Sequence, residues 1–287
     1  MFVSLIKPQG FCSGVTKAVS IAKQAKKEHP NENVYILGML AHNQTLVNDL
    51  FKEGLTTLDD SNELEALNKL HKGDVIIFTA HGHSDLIEQK AKELGLIIYD
   101  ATCFKVKDNL AKIKNEINAG HQVIYIGQKS HKETCAALSV SNNVSLYDTQ
   151  LLINYHLITD KNPYVINQTT LNYQELKGFH KDILNHIPDA RIEDEICPAT
   201  RLRQEAVTKI DSDTDLIIVV GHNKSSNSNK LFDIAKNWFK DSMVVMINNL
   251  AELKNYDIEL KKKAAIVSGA STPQYLVDEI YNYLINK

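Results

Sequence analysis

Cysteine thiolates are the groups in this sequence best suited to bind iron or zinc, and three of the four cysteines recur at similar intervals. Cys12, Cys103 and Cys197 are spaced a little over ninety residues apart, and each follows a strand-like run and precedes a helical pattern. None has a CxxC partner, so a redox dithiol is not indicated. Three thiolates that met at one point would bind either a tetrahedral zinc ion or a [4Fe–4S] cluster with one open iron.

The fourth cysteine, Cys135, breaks this pattern, because no cysteine occupies the corresponding place after His42 or Ser225. We interpret Cys135 as a buried thiol, since free cysteine is among the residue types most often buried. A fourth cluster ligand is the alternative. Structural disulfides are not expected in a chain of this kind.

Polar residues recur at the ends of the other strand-like runs. A run ending in glycine follows each of the three cysteines, and four residues beyond that glycine stands His42, His131 or Ser225. Later strand ends carry His81, Thr169 with Thr170, and Ser271 with Thr272. Ligands of open parallel sheets bind beyond the carboxyl ends of the strands. If three lobes were arranged around a pseudo-threefold axis, all these corners could face one central cavity.

The segment GHNKSSNSNKL (221–231) is the richest in hydrogen-bond donors. Ser225, Ser226, Asn227 and Ser228 stand where a helix begins, and such donors suit an anionic oxygen cluster. One such residue is enough for an N-cap, so the run of four favours anion binding. The histidines at the other corners could bind the same anion. The sequence has no GxxxxGK[ST] motif and no convincing GxGxxG motif, so a nucleoside triphosphate or dinucleotide is not indicated.

Glu133 lies two residues after His131 and is the candidate proton donor. A carboxyl group beside an anion and a reducing cluster would have a raised pKa and could act as a general acid. The alternative is a first-turn glutamate that the helix dipole favours, and position alone favours this alternative.

The elements that must position these residues alternate between strand and helix. One helix is predicted over 106–118. Near-continuous apolar strands separated by helices predict parallel sheets covered on both faces. We predict an α/β chain of three lobes, 1–101, 102–195 and 196–287, with the N-terminal strand packing on the third lobe. The candidate strands are 2–6, 34–37, 74–79, 96–100, 122–126, 164–167, 191–196, 216–220, 243–247 and 264–268.

Composition excludes several function classes. The net charge is −3, with 32 basic and 35 acidic residues, which gives no support for binding to nucleic acid or a membrane surface. No apolar run approaches twenty residues, and the N-terminus resembles neither a signal peptide nor a transit peptide. We expect a cytoplasmic protein, monomeric, with a small-molecule substrate.

Nine ordered motifs between about residues 5 and 281 resemble the 4-hydroxy-3-methylbut-2-enyl diphosphate reductase (LytB/IspH) family. The resemblance implies a trefoil of three pseudo-threefold-related α/β domains around a central [4Fe–4S] cluster. It implies an iron–sulfur oxidoreductase that removes the allylic hydroxyl group of its substrate with two electrons and two protons. The products would be isopentenyl and dimethylallyl diphosphate, formed in the last step of the non-mevalonate (MEP) isoprenoid pathway. The motifs are GFCSGVTKAV, HNQTLV, TAHGHS, DATCFKV, IGQKSHKE, NQTTL, ICPATRLRQEA, GHNKSSNSNKL and SGASTPQYLV.

The same resemblance assigns roles to residues at matching positions. The cluster ligands would be Cys12, Cys103 and Cys197, with one iron left open for the substrate. Glu133 would deliver protons, with Thr169 and His131 near the reacting end and the proton path. A ferredoxin or flavodoxin would supply the electrons. The substrate-binding residues would be His42, His81, His131, Thr169, Thr170, Ser225, Ser226, Asn227 and Ser271.

Two other functions fit parts of the pattern. A non-catalytic redox or iron sensor that binds zinc or a cluster would need the cysteines but not Glu133. A metal-free diphosphate-binding protein would need the Ser225 to Ser228 segment but not the cysteines. Lys132 and Lys224 stand where the family commonly has other residues, and they could alter the charge of the cavity.

Overall fold

The computed structural model describes residues 1–59, 61–151, 153–194 and 196–287. Within these ranges the strands are β1 (Phe2–Leu5), β2 (Val34–Leu37), β3 (Leu55–Leu58), β4 (Val75–Phe78), β5 (Ile97–Asp100), β6 (Val123–Gly127), β7 (Val144–Asp148), β8 (Tyr164–Asn167), β9 (Arg191–Ile192), β10 (Leu216–Val220), β11 (Met243–Ile247) and β12 (Lys263–Ser268).

The helices alternate with the strands, and a short 3-10 helix lies at Tyr155–Leu157. In the described ranges they are α1 (Ser13–Glu28), α2 (Gln44–Lys52), α3 (Glu63–Asn68), α4 (Asp85–Glu93), α5 (Phe104–Asn118), α6 (Lys132–Leu138), α7 (Tyr173–His186), α8 (Pro198–Val207), α9 (Ser226–Trp238), α10 (Leu250–Leu253) and α11 (Gln274–Ile285).

The described strands form three four-stranded sheets, with the orders β3-β2-β4-β5, β7-β6-β8-β9 and β1-β12-β10-β11. Every pairing in them is parallel. Strands β4 and β10 are buried along their whole length, as expected where helices cover both faces of a parallel sheet. The prediction of an α/β chain with small parallel sheets is confirmed.

The sheets repeat one topology, which explains the recurrence of the cysteines. In each sheet one edge strand leads directly to a cysteine: β1 to Cys12, β5 to Cys103 and β9 to Cys197. Each of these edge strands pairs with the last strand of the repeat, which is β12, β4 or β8 respectively. The three cysteines therefore occupy topologically equivalent positions.

The chain divides into two compact units. The first contains Met1–Val15, Ala41–Asp49 and Cys197–Lys287, and the second contains Thr16–Leu40 and Leu50–Ile196. Sheet β1-β12-β10-β11 belongs to the first unit, where β1 pairs along the edge of the C-terminal sheet. The three lobe boundaries remain a prediction, and residue 195, which ends the predicted second lobe, lies outside the described residues.

Two details of the strand prediction are wrong. The candidate strand 191–196 is too long, because β9 covers only Arg191–Ile192. The Glu193 side chain instead accepts hydrogen bonds from Lys112 at 2.7 Å and Tyr164 at 2.8 Å. The prediction also missed β3 and β7, which are edge strands with fewer apolar residues than their central neighbours.

The core lies on both faces of the sheets. In the first unit, Leu216, Ile218 and Val220 pack on α11, whereas Ile217 and Val219 pack with residues of α8 and α9. Among the described residues, no helix is both long enough and apolar enough to cross a membrane.

Candidate active site

The first unit contains two of the three recurring cysteines, and both thiols are partly buried. Cys12 follows a tight turn at Gly10, where φ is +71° and only glycine is relaxed. The Cys12 backbone N–H donates to the Ala270 carbonyl at 3.0 Å, and its Sγ accepts from the Val15 N–H at 3.5 Å. Cys197 is the N-cap of α8, so its thiol lies at the positive end of a helix dipole.

The second unit holds Cys103 in an equivalent setting. Its backbone N–H donates to the Ala80 carbonyl at 3.0 Å, just as Cys12 donates to Ala270. Cys103 is the N-cap of α5 and makes no side-chain capping bond, and its thiol is partly buried. The hydrogen bonds at Cys12 and Cys103 are therefore a structural counterpart of the sequence repeat.

The prediction that Cys135 is buried is wrong, because its thiol is exposed. The cause is the short helix α6, whose buried face carries Glu133, Thr134, Ala136 and Ala137. Cys135 lies on the opposite face and makes one weak contact, from its Sγ to the Lys129 carbonyl at 3.7 Å.

The anion-binding candidates of the first unit begin α9. Ser225 caps this helix by accepting from the Ser228 N–H at 3.3 Å, so the capping interpretation is correct for this residue. Its hydroxyl lies 3.5 Å from the Ser271 hydroxyl, which donates to the His42 carbonyl at 3.2 Å. The structure therefore joins three predicted residues from separate corners of this unit.

Asn227 has a role that capping does not explain. The side chain is only 4% exposed, and neither its Oδ1 nor its Nδ2 has a hydrogen-bond partner among the described residues. Leaving a buried amide unsatisfied costs about 1–3 kcal/mol. This cost is removed if a polar ligand contacts Asn227, so the residue is a strong candidate for substrate binding.

Ser228 explains why glycine directly follows two strands, β10 and β12. A Cβ atom added at Gly221 or Gly269 would lie 2.3 or 2.2 Å from the Ser228 Oγ, which is a steric clash. In the second unit a Cβ added at Gly127 would lie 2.5 Å from the Thr134 Oγ1. The glycines therefore allow the first turn of the next helix to approach the strand end closely.

The proton-delivery candidates of the second unit form a directly bonded pair. Glu133 is 5% exposed, and both of its oxygens accept hydrogen bonds from one residue. The Thr169 N–H donates to Oε2 at 2.8 Å, and the Thr169 hydroxyl donates to Oε1 at 2.8 Å. Two residues that are distant in sequence but were predicted to act together are thus in contact.

Burial decides the protonation of this carboxyl group. Desolvation raises the pKa of Glu133 from its usual 4.5 to about 7, although both Thr169 hydrogen bonds act in the opposite direction. A group with this pKa can both hold and release a proton near neutral pH. Helix-dipole stabilisation alone would instead favour the charged form, so it does not account for Glu133.

Two predicted histidines lie near this pair. His131 is the N-cap of α6, and its Nδ1 accepts from the Glu133 N–H at 3.2 Å. The His81 and His131 rings meet edge to face with their centroids 6.1 Å apart, and the His81 Nδ1 lies 3.4 Å from the Thr79 hydroxyl. His81 and His131 therefore come together within the second unit.

Thr170 and Lys132 have structural partners. The Thr170 hydroxyl accepts from the Gln168 side-chain amide at 2.8 Å. The Lys132 Nζ forms an ion pair with Glu63 at 3.0 Å, so part of its charge is neutralised locally. In the first unit, Ser226 is buried in the first turn of α9 beside Ser225.

Glu133 and Asn227 occupy the same place in two repeats. Glu133 stands six residues after Gly127, and Asn227 stands six residues after Gly221. Each lies in the first turn of the helix that follows its glycine, α6 or α9. The same corner thus carries a carboxyl group in the second unit and an amide in the first.

The strand register also identifies the counterpart of Thr169. Asn167 pairs with Ile126, the residue before Gly127, and Ser268 pairs with Val220, the residue before Gly221. Asn167 and Ser268 are therefore equivalent positions. Thr169 therefore corresponds to Ala270, which has no hydroxyl group to donate. This difference explains why, among the described residues, Glu133 has a side-chain partner whereas the Asn227 side chain has none.

Three of the four cysteines share one local setting, and their thiols are donors that suit iron. Cys12, Cys103 and Cys197 are partly buried thiols that lead into helices, whereas Cys135 differs in both position and exposure. Across the described ranges, no group of three or more His, Cys, Asp or Glu side chains is arranged to hold a single metal ion. The cysteine ligands of a cluster bind different irons, so this finding concerns single-ion sites.

Sequence reasoning missed Arg203, whose side chain is 4% exposed. It lies near both cysteines of the first unit, since Cys12 and Cys197 each act on its pKa electrostatically. The signal was its spacing: Thr200, Arg203, Gln204 and Val207 form the buried face of α8. Residues three and four apart lie on the same face of a helix, so this spacing places the charged Arg203 at a core position of α8.

Comparisons with known proteins agree with the residue-based reading. A family model described as LytB protein matches residues 3–285. The chain is 37% identical to the 4-hydroxy-3-methylbut-2-enyl diphosphate reductase of Macrococcus caseolyticus, covering 99% of this chain and 89% of the relative. It is 39% identical to the enzyme of the same name from Bacillus licheniformis, covering 99% and 90%.

Two solved structures are similar along almost the whole chain. The E-1-hydroxy-2-methyl-but-2-enyl-4-diphosphate reductase of Plasmodium falciparum gives a TM-score of 0.88 at 28% identity, covering 99% of this chain and 88% of that one. A second structure, of (E)-4-hydroxy-3-methyl-but-2-enyl diphosphate reductase, gives a TM-score of 0.71 at 26% identity, with 100% of each chain covered.

Proposed function

This chain belongs to the LytB protein family, and from that premise we propose that it catalyses the reaction after which its relatives are named. The reaction is the reductive removal of the hydroxyl group of 4-hydroxy-3-methylbut-2-enyl diphosphate. It yields isopentenyl and dimethylallyl diphosphate, the last step of the non-mevalonate pathway. The observation that carries the proposal is the Glu133–Thr169 pair, because it holds a protonatable carboxyl group out of water.

The cofactor of this iron–sulfur oxidoreductase would be a [4Fe–4S] cluster held by Cys12, Cys103 and Cys197. Support comes from their equivalent positions after edge strands and from the helix that follows each of them. When bound, the cluster would supply the two electrons and a Lewis-acidic iron for cleavage of the C–O bond.

The diphosphate would be bound by the corner at the start of α9. Ser225, Ser226 and Asn227 are all at least nine-tenths buried, so an anion there would be shielded from bulk water. Hydrogen bonds to a charged group contribute about 1.5–3 kcal/mol each. Ser271 and His42 extend this donor set within the same unit. We also propose His81 as a substrate-binding residue.

Protons would come from Glu133. With a pKa of about 7, a useful fraction of this carboxyl is protonated at neutral pH, and deprotonation leaves a carboxylate that Thr169 already stabilises with two hydrogen bonds. One proton completes the departing water and the second is added to a carbon of the product. His131 would orient the Glu133 backbone, and Thr170 would line the same corner.

The electrons would come from a ferredoxin or flavodoxin, since the chain shows no dinucleotide motif of its own. We propose a monomer that works in the cytoplasm. Neither feature is needed for the chemistry of the residues above.

The test is an anaerobic assay of the reconstituted chain with a chemical reductant and the purified hydroxylated diphosphate. We expect brown protein containing iron and sulfide, together with formation of both isoprenoid diphosphates. Protein that contains iron and sulfide but forms no product under these conditions would refute the proposed reaction. Colourless protein that holds zinc would favour the sensor alternative.

A further inference from the structure

Arg203 is a cation at a position where helices normally bury an apolar side chain. It lies on the buried face of α8, and it is 4% exposed. Charged residues are almost never fully buried unless they are paired. Among the described residues no carboxylate pairs with Arg203, whereas Arg201 on the same helix forms an ion pair with Glu205 at 3.6 Å. The charge of Arg203 therefore requires another explanation.

The two hydrogen bonds of Arg203 end beside the two cysteines of the first unit. Its Nη2 donates to the carbonyl of Gly10 at 2.8 Å, two residues before Cys12. Its Nη1 donates to the carbonyl of Ala199 at 3.0 Å, two residues after Cys197. A planar guanidinium can hold two acceptors in fixed directions, which the ammonium group of lysine cannot do. Arg203 thus ties the two cysteine-bearing segments together.

The surroundings of Arg203 favour a negative partner. Burial lowers the pKa of Arg203, while Cys12 and Cys197 act in the opposite direction. Arginine nevertheless stays charged in proteins. A buried charge without a counter-charge is strongly destabilising, so the fold tolerates this one where negative charge is supplied nearby.

We propose that Arg203 is a positioning residue that fixes the Cys12 and Cys197 segments and supplies the internal positive charge that offsets a thiolate-bound cluster. This inference rests on the proposed function. Three thiolates give the bound assembly net negative charge, and each electron received from an external reductant adds one more. The reduction breaks no bond, so the buried cation acts through electrostatics. Net charge is one of the factors that set the potential of iron–sulfur clusters.

The experiment is a redox titration of the anaerobically reconstituted wild type, R203Q and R203K, followed by electron paramagnetic resonance. R203Q removes the buried charge, so we expect its reduction equilibrium to weaken about tenfold, a fall of about 59 mV for a one-electron couple. R203K keeps the charge, so its potential should stay nearer to that of the wild type. A merely structural role would not produce this order of potentials.

The matched control is K209Q, which removes one positive charge from an exposed side chain just beyond the end of the same helix. Its potential should equal that of the wild type. Iron release to a chelator supplies a second measurement. R203K should lose iron faster than the wild type, because lysine cannot hold the Gly10 and Ala199 carbonyls together. If R203Q does not fold, R203K and K209Q still test both parts of the proposal.

Four results would overturn the inference. Cluster-loaded R203Q with the potential of the wild type would refute the electrostatic role while the proposed function stood. If R203Q cannot be loaded with a cluster, a fall of about 59 mV in the potential of R203K would refute the electrostatic role. Iron release from R203K at the wild-type rate would refute the positioning role. A wild-type chain that binds no iron or sulfide would overturn the proposed function together with this inference.

Discussion

The corners that begin α6 and α9 use one structural repeat for opposite tasks. In the second unit the corner carries Glu133, whose carboxyl group is held by the backbone and hydroxyl group of Thr169. In the first unit the equivalent position is Asn227, and Ala270 stands where Thr169 would be. One corner therefore buries a carboxyl group that accepts two hydrogen bonds, and burial favours its protonated form. The other corner presents an amide that has no hydrogen-bond partner among the described residues.

Under the proposed function, this difference would divide the reaction between two copies of one repeat. The backbone of both corners is set by a glycine that admits the next helix, Gly127 in one and Gly221 in the other. The chemistry then depends on one helical residue and one residue after the neighbouring strand. Changing either residue should alter the task of a corner without altering its fold.

The largest effect should come from the cysteines, which test whether both units serve one cofactor. We expect C12S in the first unit and C103S in the second to lose iron and turnover to the same extent. C135A is the matched control, and it should keep the iron content of the wild type because its thiol is exposed on the other face of α6. Iron and sulfide analysis after anaerobic reconstitution measures this. Retention of a full cluster by C103S would remove that residue from the ligand set.

E133Q should give the next largest effect. Glutamine keeps the shape of Glu133 but cannot deliver a proton, and general acid catalysis typically contributes 10²–10⁴-fold. We expect kcat to fall by about that range while diphosphate affinity changes little. Steady-state kinetics with calorimetric binding of inorganic diphosphate separates the two quantities. A normal kcat would place the acid elsewhere.

The pH dependence of stability should distinguish the two corners as well. The pKa of Glu133 is raised from 4.5 to about 7, so the folded state binds its proton more tightly than the unfolded state does. The stabilisation of the folded state by protonated Glu133 is fully present below pH 4.5 and is lost as the pH rises through 7. The free energy of unfolding of the wild type should fall by about 3 kcal/mol across this window relative to E133Q. Denaturation measured at each pH gives the free energy of unfolding of both proteins. If the difference between the wild type and E133Q stays constant from pH 4.5 to above 7, the raised pKa is contradicted.

N227A should show the reverse pattern to E133Q. Removing an amide that contacts a charged ligand costs about 1.5–3 kcal/mol, which corresponds to a loss of affinity of roughly tenfold to a hundredfold. We expect KM for the substrate and Kd for inorganic diphosphate to rise, with kcat nearly unchanged. An unchanged Kd would show that Asn227 does not contact the diphosphate.

The smallest effects should come from exchanging the partner residues. T169A gives the second unit the alanine that the first unit has, and A270T makes the reciprocal change. Losing one hydrogen bond costs about 1 kcal/mol. T169A should move the alkaline limb of the rate profile to higher pH, because the Thr169 hydroxyl lowers the pKa of Glu133. A270T should weaken diphosphate binding a few-fold by giving Asn227 an internal partner. If the pH–rate profile of T169A coincides with that of the wild type, the Thr169 hydroxyl does not set the pKa of Glu133.

Most of the architecture could be predicted from the sequence, because its signals are local. The sequences of β4 and β10 are apolar throughout, and such runs predict buried parallel strands. The edge strands β3 and β7 were missed because pairing on one side requires less apolar character. The length of β9 was overestimated because three acidic residues follow it, and the first of them, Glu193, makes side-chain contacts instead.

The site was predictable in its residue types but not in its pairings. The recurring glycines and polar residues identified Glu133, Thr169 and Asn227 as candidates. The two hydrogen bonds between Thr169 and Glu133 could not be predicted, because they depend on strand register. Cys135 was misjudged because burial depends on which face of a short helix meets the sheet. Arg203 was missed because its spacing is that of a core residue and its partners are backbone carbonyls.

The pairing of β1 with β12 governs the order in which the protein can mature during synthesis. Gly10, two residues before the first cysteine, donates to the Ser268 hydroxyl 258 residues further along the chain. At translation rates of about 5–20 residues per second, the nascent N-terminus waits roughly 10–50 s for this partner. Cys12 therefore emerges from the ribosome long before its native hydrogen-bond partner, the Ala270 carbonyl, exists.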